Sequence, residues 1–269
     1  MCTSHTHSGA FAHGQLQEVF KNIWFVEGGW DMPLFLKPRI SRSMTIVRNH
    51  DGTLTLINSM KLSDEGLKQL DALGKVKNVI RLASMHGADD GFYKTRYCAT
   101  IYALKDTQYT KGLRTDVENT QNYFEPDIWF DEHTDLPLPN AQLWVMNSPK
   151  LKEGCIILNR DNGILLAGDV LHNTPKPNIF TNLLAKIFMH LFRLAKPYNI
   201  GVGWWLMTQP SGNELRAILN LPFEHVLPIH GQPVIGNAKE KYRKAIEYYA
   251  ALAERKKWHA LQGATKHGK

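Results

Sequence analysis

Three polar residues each follow directly on an apolar segment typical of a buried strand. His86 follows residues 79–85, Asp169 follows residues 164–168, and His230 follows residues 226–229. In α/β sheets, loops at strand ends collect ligand-binding groups because rigid strands present side chains to a shared crevice. Two imidazoles and a carboxylate suit divalent zinc, iron or manganese. Each residue alone also fits a structural role, such as capping a turn, so it is the combination that predicts a metal site.

Short segments rich in β-branched and aromatic residues predict the strands that would position these groups. Asp51-Gly52 and Asn162-Gly163 each separate two such segments and predict hairpin turns. Residues 63–73 predict a helix with Ser63 as N-cap and Gly74 as its end. This helix lies between strands predicted at 54–57 and 76–82, which indicates a βαβ crossover. Further predicted elements are strands at 22–26, 44–47, 155–158, 164–167 and 225–229, and helices from about 211 and over 238–255.

The positive charge is concentrated at the C-terminal end. The 269 residues carry a formal net charge of +7, but residues 239–269 contain nine basic and three acidic residues. The rest of the chain is therefore nearly neutral. A nucleic-acid-binding domain usually carries a basic stripe within its fold, so no nucleic-acid partner is predicted.

Cysteine use and hydropathy predict a cytoplasmic protein. The cysteines Cys2, Cys98 and Cys155 are odd in number and form no CxxC pair, which is typical neither of a zinc ribbon nor of a disulfide scaffold. We expect a reducing setting in which Cys98 and Cys155 are buried as small apolar side chains. The N-terminus has no signal-peptide pattern, and no apolar run is long enough to span a bilayer.

Residues 170–213 contain no Asp or Glu, although Lys176, Lys186, Arg193 and Lys196 are basic. Apolar residues at helical spacing within 180–194 predict an amphipathic helix. Three roles are compatible with such a helix: packing on the body or on a second subunit as a homodimer, capping a pocket, and contact with an anionic membrane surface.

Taken together, these segments resemble the metallo-β-lactamase-fold superfamily over roughly residues 18–252. The resemblance is carried by residues 20–26, 44–47 and 51–59 at the start, by the strand ending in Gly168-Asp169, and by residues 227–231, which end in His230-Gly231. It implies an α/β (α+β) protein with a four-layer αββα sandwich, in a divergent subgroup with a degenerate metal motif. It also implies three parts: a flexible segment 1–17, a single domain 18–255 with an inserted helical segment 174–200, and a basic tail 256–269.

The first metal loop departs from the His-x-His-x-Asp-His pattern of the superfamily. Residues 84–91 read Ser-Met-His-Gly-Ala-Asp-Asp-Gly. If His86 takes the first position, Asp90 retains the aspartate while Ala88 and Gly91 replace histidines. If His86 takes the second, Asp89 stands where the last histidine belongs. We prefer the first arrangement because it preserves the aspartate. The next histidine of the pattern is also absent from residues 146–149.

The resemblance leaves four candidate metal ligands: His86, Asp90, Asp169 and His230. They imply a metal-dependent hydrolase with one divalent ion, most simply zinc, with iron and manganese also compatible, and Asp90 as a ligand or catalytic base. His172 and the cluster 131–133 are conceivable substitutes, although exposed loop residues are the simpler interpretation. The alternative is a non-catalytic relative that binds a small molecule or partner through an empty remnant pocket and the acid-free helix. The substrate is not indicated, and the loss of histidines argues against a β-lactam.

Overall fold

The computed structural model describes residues 9–32, 36–107, 125–192 and 194–266, with side chains described as far as Arg255. Thirteen strands and six α-helices are assigned within these ranges. The strands are β1 (Gln17–Phe20), β2 (Ile23–Asp31), β3 (Arg39–Arg48), β4 (Leu54–Ile57), β5 (Val76–Arg81), β6 (Thr100–Leu104), β7 (Ile128–Phe130), β8 (Ala141–Met146), β9 (Glu153–Leu158), β10 (Ile164–Leu166), β11 (Leu171–His172), β12 (Asn199–Ile200) and β13 (His225–Leu227). The helices are α1 (Asp64–Leu73), α2 (Asp90–Tyr97), α3 (Leu183–Leu191), α4 (Val202–Thr208), α5 (Gly212–Ala217) and α6 (Ala238–Lys266).

Two larger sheets carry most of these strands. One has seven strands in sequential order from β1 to β7, and the other has four in the order β13-β10-β9-β8. In the first sheet β1 to β4 pair antiparallel, and β4 to β7 pair parallel. In the second, β13 lies parallel to β10. The short strands β11 and β12 form a separate pair.

Three apolar clusters define four layers. The cluster between the sheets joins Ile80 and Phe25 of the seven-stranded sheet to Ile156 and Leu166 of the four-stranded one. A second cluster packs α1 and α2 against the outer face of the seven-stranded sheet. A third packs α4, α5 and α6 against the outer face of the other sheet. The arrangement is the αββα sandwich expected from the sequence.

Most local predictions of turns and caps are confirmed. The Ser63 side chain caps α1 by accepting a hydrogen bond from the Gly66 amide at 3.3 Å, and Gly74 follows the helix at its C-cap. Strands β4 and β5 are parallel on either side of α1, as the crossover requires. Gly52 and Gly163 both have positive φ in their hairpin turns.

Some elements extend beyond their predicted limits. Strands β2 and β3 pair over nine residues, from Ile23 opposite Val47 to Asp31 opposite Arg39. Helix α6 continues past Arg255 to Lys266, into the predicted tail, since no glycine or proline interrupts the chain before Gly263. Within the described residues, no helix has both the length and the apolar character needed to cross a bilayer.

The two expectations for buried cysteines have different outcomes. Cys155 is a buried free thiol, as expected. The expectation for Cys98 is wrong: this residue is exposed and is disulfide-bonded. Cys98 lies at the C-cap of α2 in a left-handed backbone conformation, at an exposed end of the helix and outside the core.

Candidate metal centre

The ends of three strands bring His86, Asp169 and His230 together. Their potential ligand atoms all lie within 4.8 Å of one another. His86 follows β5 of the seven-stranded sheet, whereas Asp169 and His230 follow β10 and β13 of the other sheet. A hydrogen bond from the Gly154 amide to the Leu82 carbonyl, 2.9 Å long, joins the two sheets beside this point. The cluster therefore forms where the two sheets meet.

The Asp169 carboxylate is the centre of the cluster. Nε2 of His86 lies 3.0 Å from both of its oxygens. Nε2 of His230 lies 3.2 Å from Oδ1. Two imidazole nitrogens thus face one buried carboxylate at 3.0 and 3.2 Å, distances that fit the spacing between ligands of a single metal ion.

Strand β3 fixes the orientation of His230. Its Nδ1 lies 2.6 Å from the Ser41 carbonyl oxygen. Because a carbonyl oxygen only accepts hydrogen bonds, Nδ1 carries the proton, and in the neutral ring Nε2 presents its lone pair toward Asp169. The amide of Ser43 donates to the Ile229 carbonyl at 2.7 Å, which holds the approach to His230 on the same strand. A peptide carbonyl that orients a histidine in this way is a common outer partner of metal ligands.

The glycine after His230 is required by its surroundings. Gly231 has φ of +91°, and a Cβ at this position would overlap the Asn173 carbonyl. The Asn173 amide in turn donates to the His230 carbonyl at 3.1 Å. The His-Gly pair is therefore held between β3 on one side and the segment after β11 on the other.

His172 is a further member of the centre. It lies at the end of β11, three residues after Asp169, with its Nε2 3.7 Å from Asp169 Oδ1. Its ring centroid is 4.7 Å from that of His230. Among the described residues, its buried Nε2 has no hydrogen-bond partner. The interpretation of His172 as an exposed loop residue is therefore wrong.

Burial and charge determine the ionisation of the centre. Burial would raise the pKa of Asp169, but His86 and the other two histidines around the carboxylate together hold it well below its ordinary value. Burial lowers the pKa of His86, with Asp169 opposing the shift. Burial also lowers the pKa of His172, to about 4. At neutral pH the set therefore contains a carboxylate and at least two neutral imidazoles, the forms that bind metal ions.

Glu153 supports the centre from beneath and has no counterpart among the predicted residues. It begins β9, is fully buried, and accepts a hydrogen bond from the Val170 amide at 3.3 Å. A Cβ on Gly168 would overlap its carboxyl group, so this Gly-Asp strand end has no room for a larger residue. Burial raises the pKa of Glu153 well above its ordinary value, and the negative charge of Asp169 adds to the shift. Its only sequence signal is an acidic residue at the start of an apolar strand.

Asp90 lies outside this cluster of ligand atoms. It is the first residue of α2, and its Oδ1 accepts a hydrogen bond from Ser59 Oγ at 2.7 Å. Burial raises the pKa of Asp90 to about 6, partly offset by the nearby Arg81 guanidinium. Asp89 pairs with the buried Arg42 and accepts a hydrogen bond from the Lys61 amide. Both aspartates of the loop thus face internal cations, and the role of Asp90 as ligand or base stays a prediction.

The other polar cluster singled out in the sequence forms an ordinary turn. Asp131 Oδ1 accepts a hydrogen bond from the His133 amide at 3.0 Å, and the side chains of Glu132 and His133 are exposed. The loop after β8, where the resemblance predicts another histidine, is instead bound to α5. The amides of Asn147 and Ser148 donate to the two carboxylate oxygens of Glu214 at 3.0 and 2.8 Å.

Solved structures with a similar fold are metallo-β-lactamases. The DIM-1 metallo-β-lactamase exposed to ceftazidime is 13% identical, with 90% of this chain and 96% of that chain covered at a TM-score of 0.57. FIM-1 from Pseudomonas aeruginosa, in a mono-zinc form, is 12% identical, with 93% and 97% covered at 0.55. The enzyme from Hirschia baltica is 13% identical, with 90% and 98% covered at 0.53. No protein-family model and no curated protein matches the chain.

Proposed function

The chain has the metallo-β-lactamase fold, and from this premise we propose that it is a metal-dependent hydrolase with one divalent ion. His86, Asp169 and His230 would hold the ion, with His172 beside them. Zinc suits this mixed imidazole and carboxylate set, and iron and manganese are also compatible.

The convergence of imidazole nitrogens on Asp169 carries the proposal. Nδ1 of His230 donates to the Ser41 carbonyl, so Nε2 is the ring nitrogen left for an ion, and it faces a carboxylate oxygen that only accepts hydrogen bonds. An imidazole lone pair at Nε2 and a carboxylate oxygen 3.2 Å away would be stabilised by a cation bound to both. Nε2 of His172, buried and without a partner among the described residues, faces the same oxygen. The donor set therefore fits a metal ion.

When bound, such an ion would supply Lewis-acid polarisation of a substrate oxygen and lower the pKa of a water molecule. The residues of the chain would hold the ligands in their unprotonated forms and orient them. Ser41 and Asn173 hold His230 through their backbones, and the buried Glu153 supports the Gly168-Asp169 backbone.

A site for one ion is favoured over a site for two because internal cations lie beside the remaining carboxylates of the loop. The Arg42 guanidinium pairs with Asp89, and Arg81 lies close to Asp90. A second divalent ion beside two buried guanidinium groups would meet strong repulsion at low local dielectric. We therefore propose that Asp90 supports the His86 loop through its hydrogen bond with Ser59, and we favour this role over metal binding.

Removal of His230 tests the proposal directly. We expect His230→Ala to lower zinc content and turnover of ester and phosphodiester substrates together, while His172→Ala weakens zinc binding less. His133→Ala is the matched control, since it removes an exposed histidine outside the cluster. Metal content can be measured by elemental analysis and turnover with chromogenic esters. Turnover that persists in His230→Ala without bound metal would contradict the proposal.

The second candidate is a non-catalytic fold relative that binds a small molecule or partner. The specific observation in its favour is that the chain has Ala88 and Gly91 where the superfamily pattern has histidines, and has no histidine in the loop after β8. That loop is bound by the Glu214 carboxylate instead. Full metal occupancy without turnover of any ester, thioester or phosphodiester would favour this candidate. Metal-dependent turnover would exclude it.

A further inference from the structure

Helix α3 and its flanks expose an unusual number of large apolar side chains. Leu183 is 73% exposed and Leu191 is 69% exposed, and Ala185 is the one buried residue of the helix. Ile179, before the helix, is 87% exposed. We call this set the α3 surface, and it comprises Ile179, Leu183, Ile187, Phe188, Leu191 and Phe192. An amphipathic helix that packs on its own body would direct these side chains inward.

The helix is held in this outward orientation by hydrogen bonds to the β2–β3 hairpin. The Asn182 amide donates to the Arg39 carbonyl at 3.2 Å, and the Asn182 side chain donates to the Lys37 carbonyl at 3.2 Å. The same side chain caps the helix by accepting from the Ala185 amide at 2.9 Å. The N-terminal end of α3 is thus tied to the body, with Ala185 inward and the apolar side chains outward.

The outward face has an apolar stripe beside a basic one. Leu183, Ile187 and Leu191 follow one another at a spacing of four residues, and Lys186 and His190 lie next to them at the same spacing. All five side chains are exposed. Apolar side chains beside the cationic Lys186 on one helix face suit a boundary between apolar chains and anionic head groups.

Charge distribution distinguishes an anionic bilayer from a second copy of the chain. No Asp or Glu occurs between Val170 and Asn213, whereas Lys176, Lys186 and Lys196 lie around the α3 surface in the sequence. In a symmetric dimer formed by this surface, Lys186 of each copy would approach the same basic stripe, with no acidic residue of the segment to offset it. An anionic lipid surface complements both stripes at once.

We propose that the α3 surface docks the protein onto anionic lipid bilayers, with α3 lying in the plane of the interface. The inference is independent of the metal centre, because none of its residues belongs to that cluster. The binding partner of the α3 surface is a phospholipid bilayer with negative head groups. The apolar stripe would be buried in the bilayer interface, and the basic stripe would be attracted to the head groups.

Sedimentation with vesicles tests this inference on the full chain. The wild type is expected to bind phosphatidylcholine vesicles containing phosphatidylglycerol, to bind pure phosphatidylcholine more weakly, and to lose affinity as salt is raised. The triple variant Leu183→Ser, Ile187→Ser, Leu191→Ser should bind at least about tenfold more weakly, since three apolar side chains no longer enter the interface. Lys186→Glu should weaken binding to the anionic vesicles alone. Ile235→Ser, an exposed apolar residue outside the segment, is the matched control.

Two results would overturn the inference. One is a wild type that does not sediment with anionic vesicles at low salt. The other is a triple variant that binds as well as wild type, which would assign binding to the basic C-terminal residues. The same conclusion would follow if the wild type were a dimer in sedimentation velocity and the triple variant a monomer that binds vesicles as well as the wild type. The α3 surface would then be a dimer interface. Circular dichroism and unchanged metal content would show that the variants remain folded.

Discussion

At the scale of single residues, the metal centre depends on the direction of hydrogen bonds. His230 donates from Nδ1 to a peptide carbonyl, and its other nitrogen, Nε2, faces Asp169. The buried Glu153 and the absence of a side chain at Gly168 position the Asp169 backbone. These contacts preorganise the ligands, so that little conformational entropy remains to be lost when an ion binds.

The two aspartates are expected to differ in their effect on metal binding. Asp169→Asn should lower zinc affinity by more than about 100-fold, because it removes the carboxylate that the imidazoles share. Asp90→Asn should lower it by less than about tenfold, because that carboxyl is bonded to Ser59 outside the cluster. Titration with zinc followed by calorimetry would measure both values. Equal losses would place Asp90 among the ligands, in the role that the preferred motif alignment predicts.

The sequence indicates part of this site for a physical reason. Three residues, His86, Asp169 and His230, are detectable because each follows directly on an apolar segment at a strand end. His172 and Glu153 are not detectable in that way. His172 is positioned in the centre by the short pairing of β11 with β12. Glu153 is positioned there by the contact between the two sheets. Both depend on contacts between residues distant in the chain.

At the scale of elements, the hairpin turns show how local chemistry and packing combine. Gly52 has φ of +79° with open space around it, whereas Gly163 has φ of +93° and lies against the Pro222 carbonyl. The dipeptides Asp51-Gly52 and Asn162-Gly163 predict both turns, but the sequence does not show that only the second is enclosed.

Alanine at these two glycines should separate backbone strain from packing. Gly52→Ala is expected to reduce the free energy of unfolding by about 1 kcal/mol, since only the left-handed conformation is penalised. Gly163→Ala should cost about 1–3 kcal/mol more, because its Cβ overlaps the Pro222 carbonyl. Urea denaturation of both variants would measure the difference. Equal losses would mean that the chain near Pro222 moves without cost.

Caps and turns are predicted well because neighbouring residues determine them. Ser63, with its side chain accepting from the Gly66 amide, is an example. The limits of β2 and β3 are not predicted, since their outer residues extend the pairing toward the hairpin that holds α3. The sequence predicts α3 as an amphipathic helix, but the direction of its apolar side depends on the Asn182 contacts with that hairpin.

At the scale of the whole molecule, the metal centre is a product of the sandwich. Its ligands come from both sheets, and the apolar cluster between the sheets sets their separation. The order and patterning of strands and helices indicate an α/β fold, and the resemblance to the metallo-β-lactamase-fold superfamily implies its four αββα layers. The meeting of the two sheets at Glu153 and Ala83 requires the folded chain. A metal ion bound to ligands from both sheets would stabilise the folded state by mass action.

The metal content of the protein, purified without added metal, tests the central claim most directly. Elemental analysis should find about one equivalent of zinc, iron or manganese per chain, since one carboxylate and its imidazoles form a single set of ligands. Chelation should lower the melting temperature, and one equivalent of zinc should restore it. A protein that contains no metal, takes up none from micromolar zinc and melts unchanged with chelator would contradict the account, as would two tightly held ions per chain.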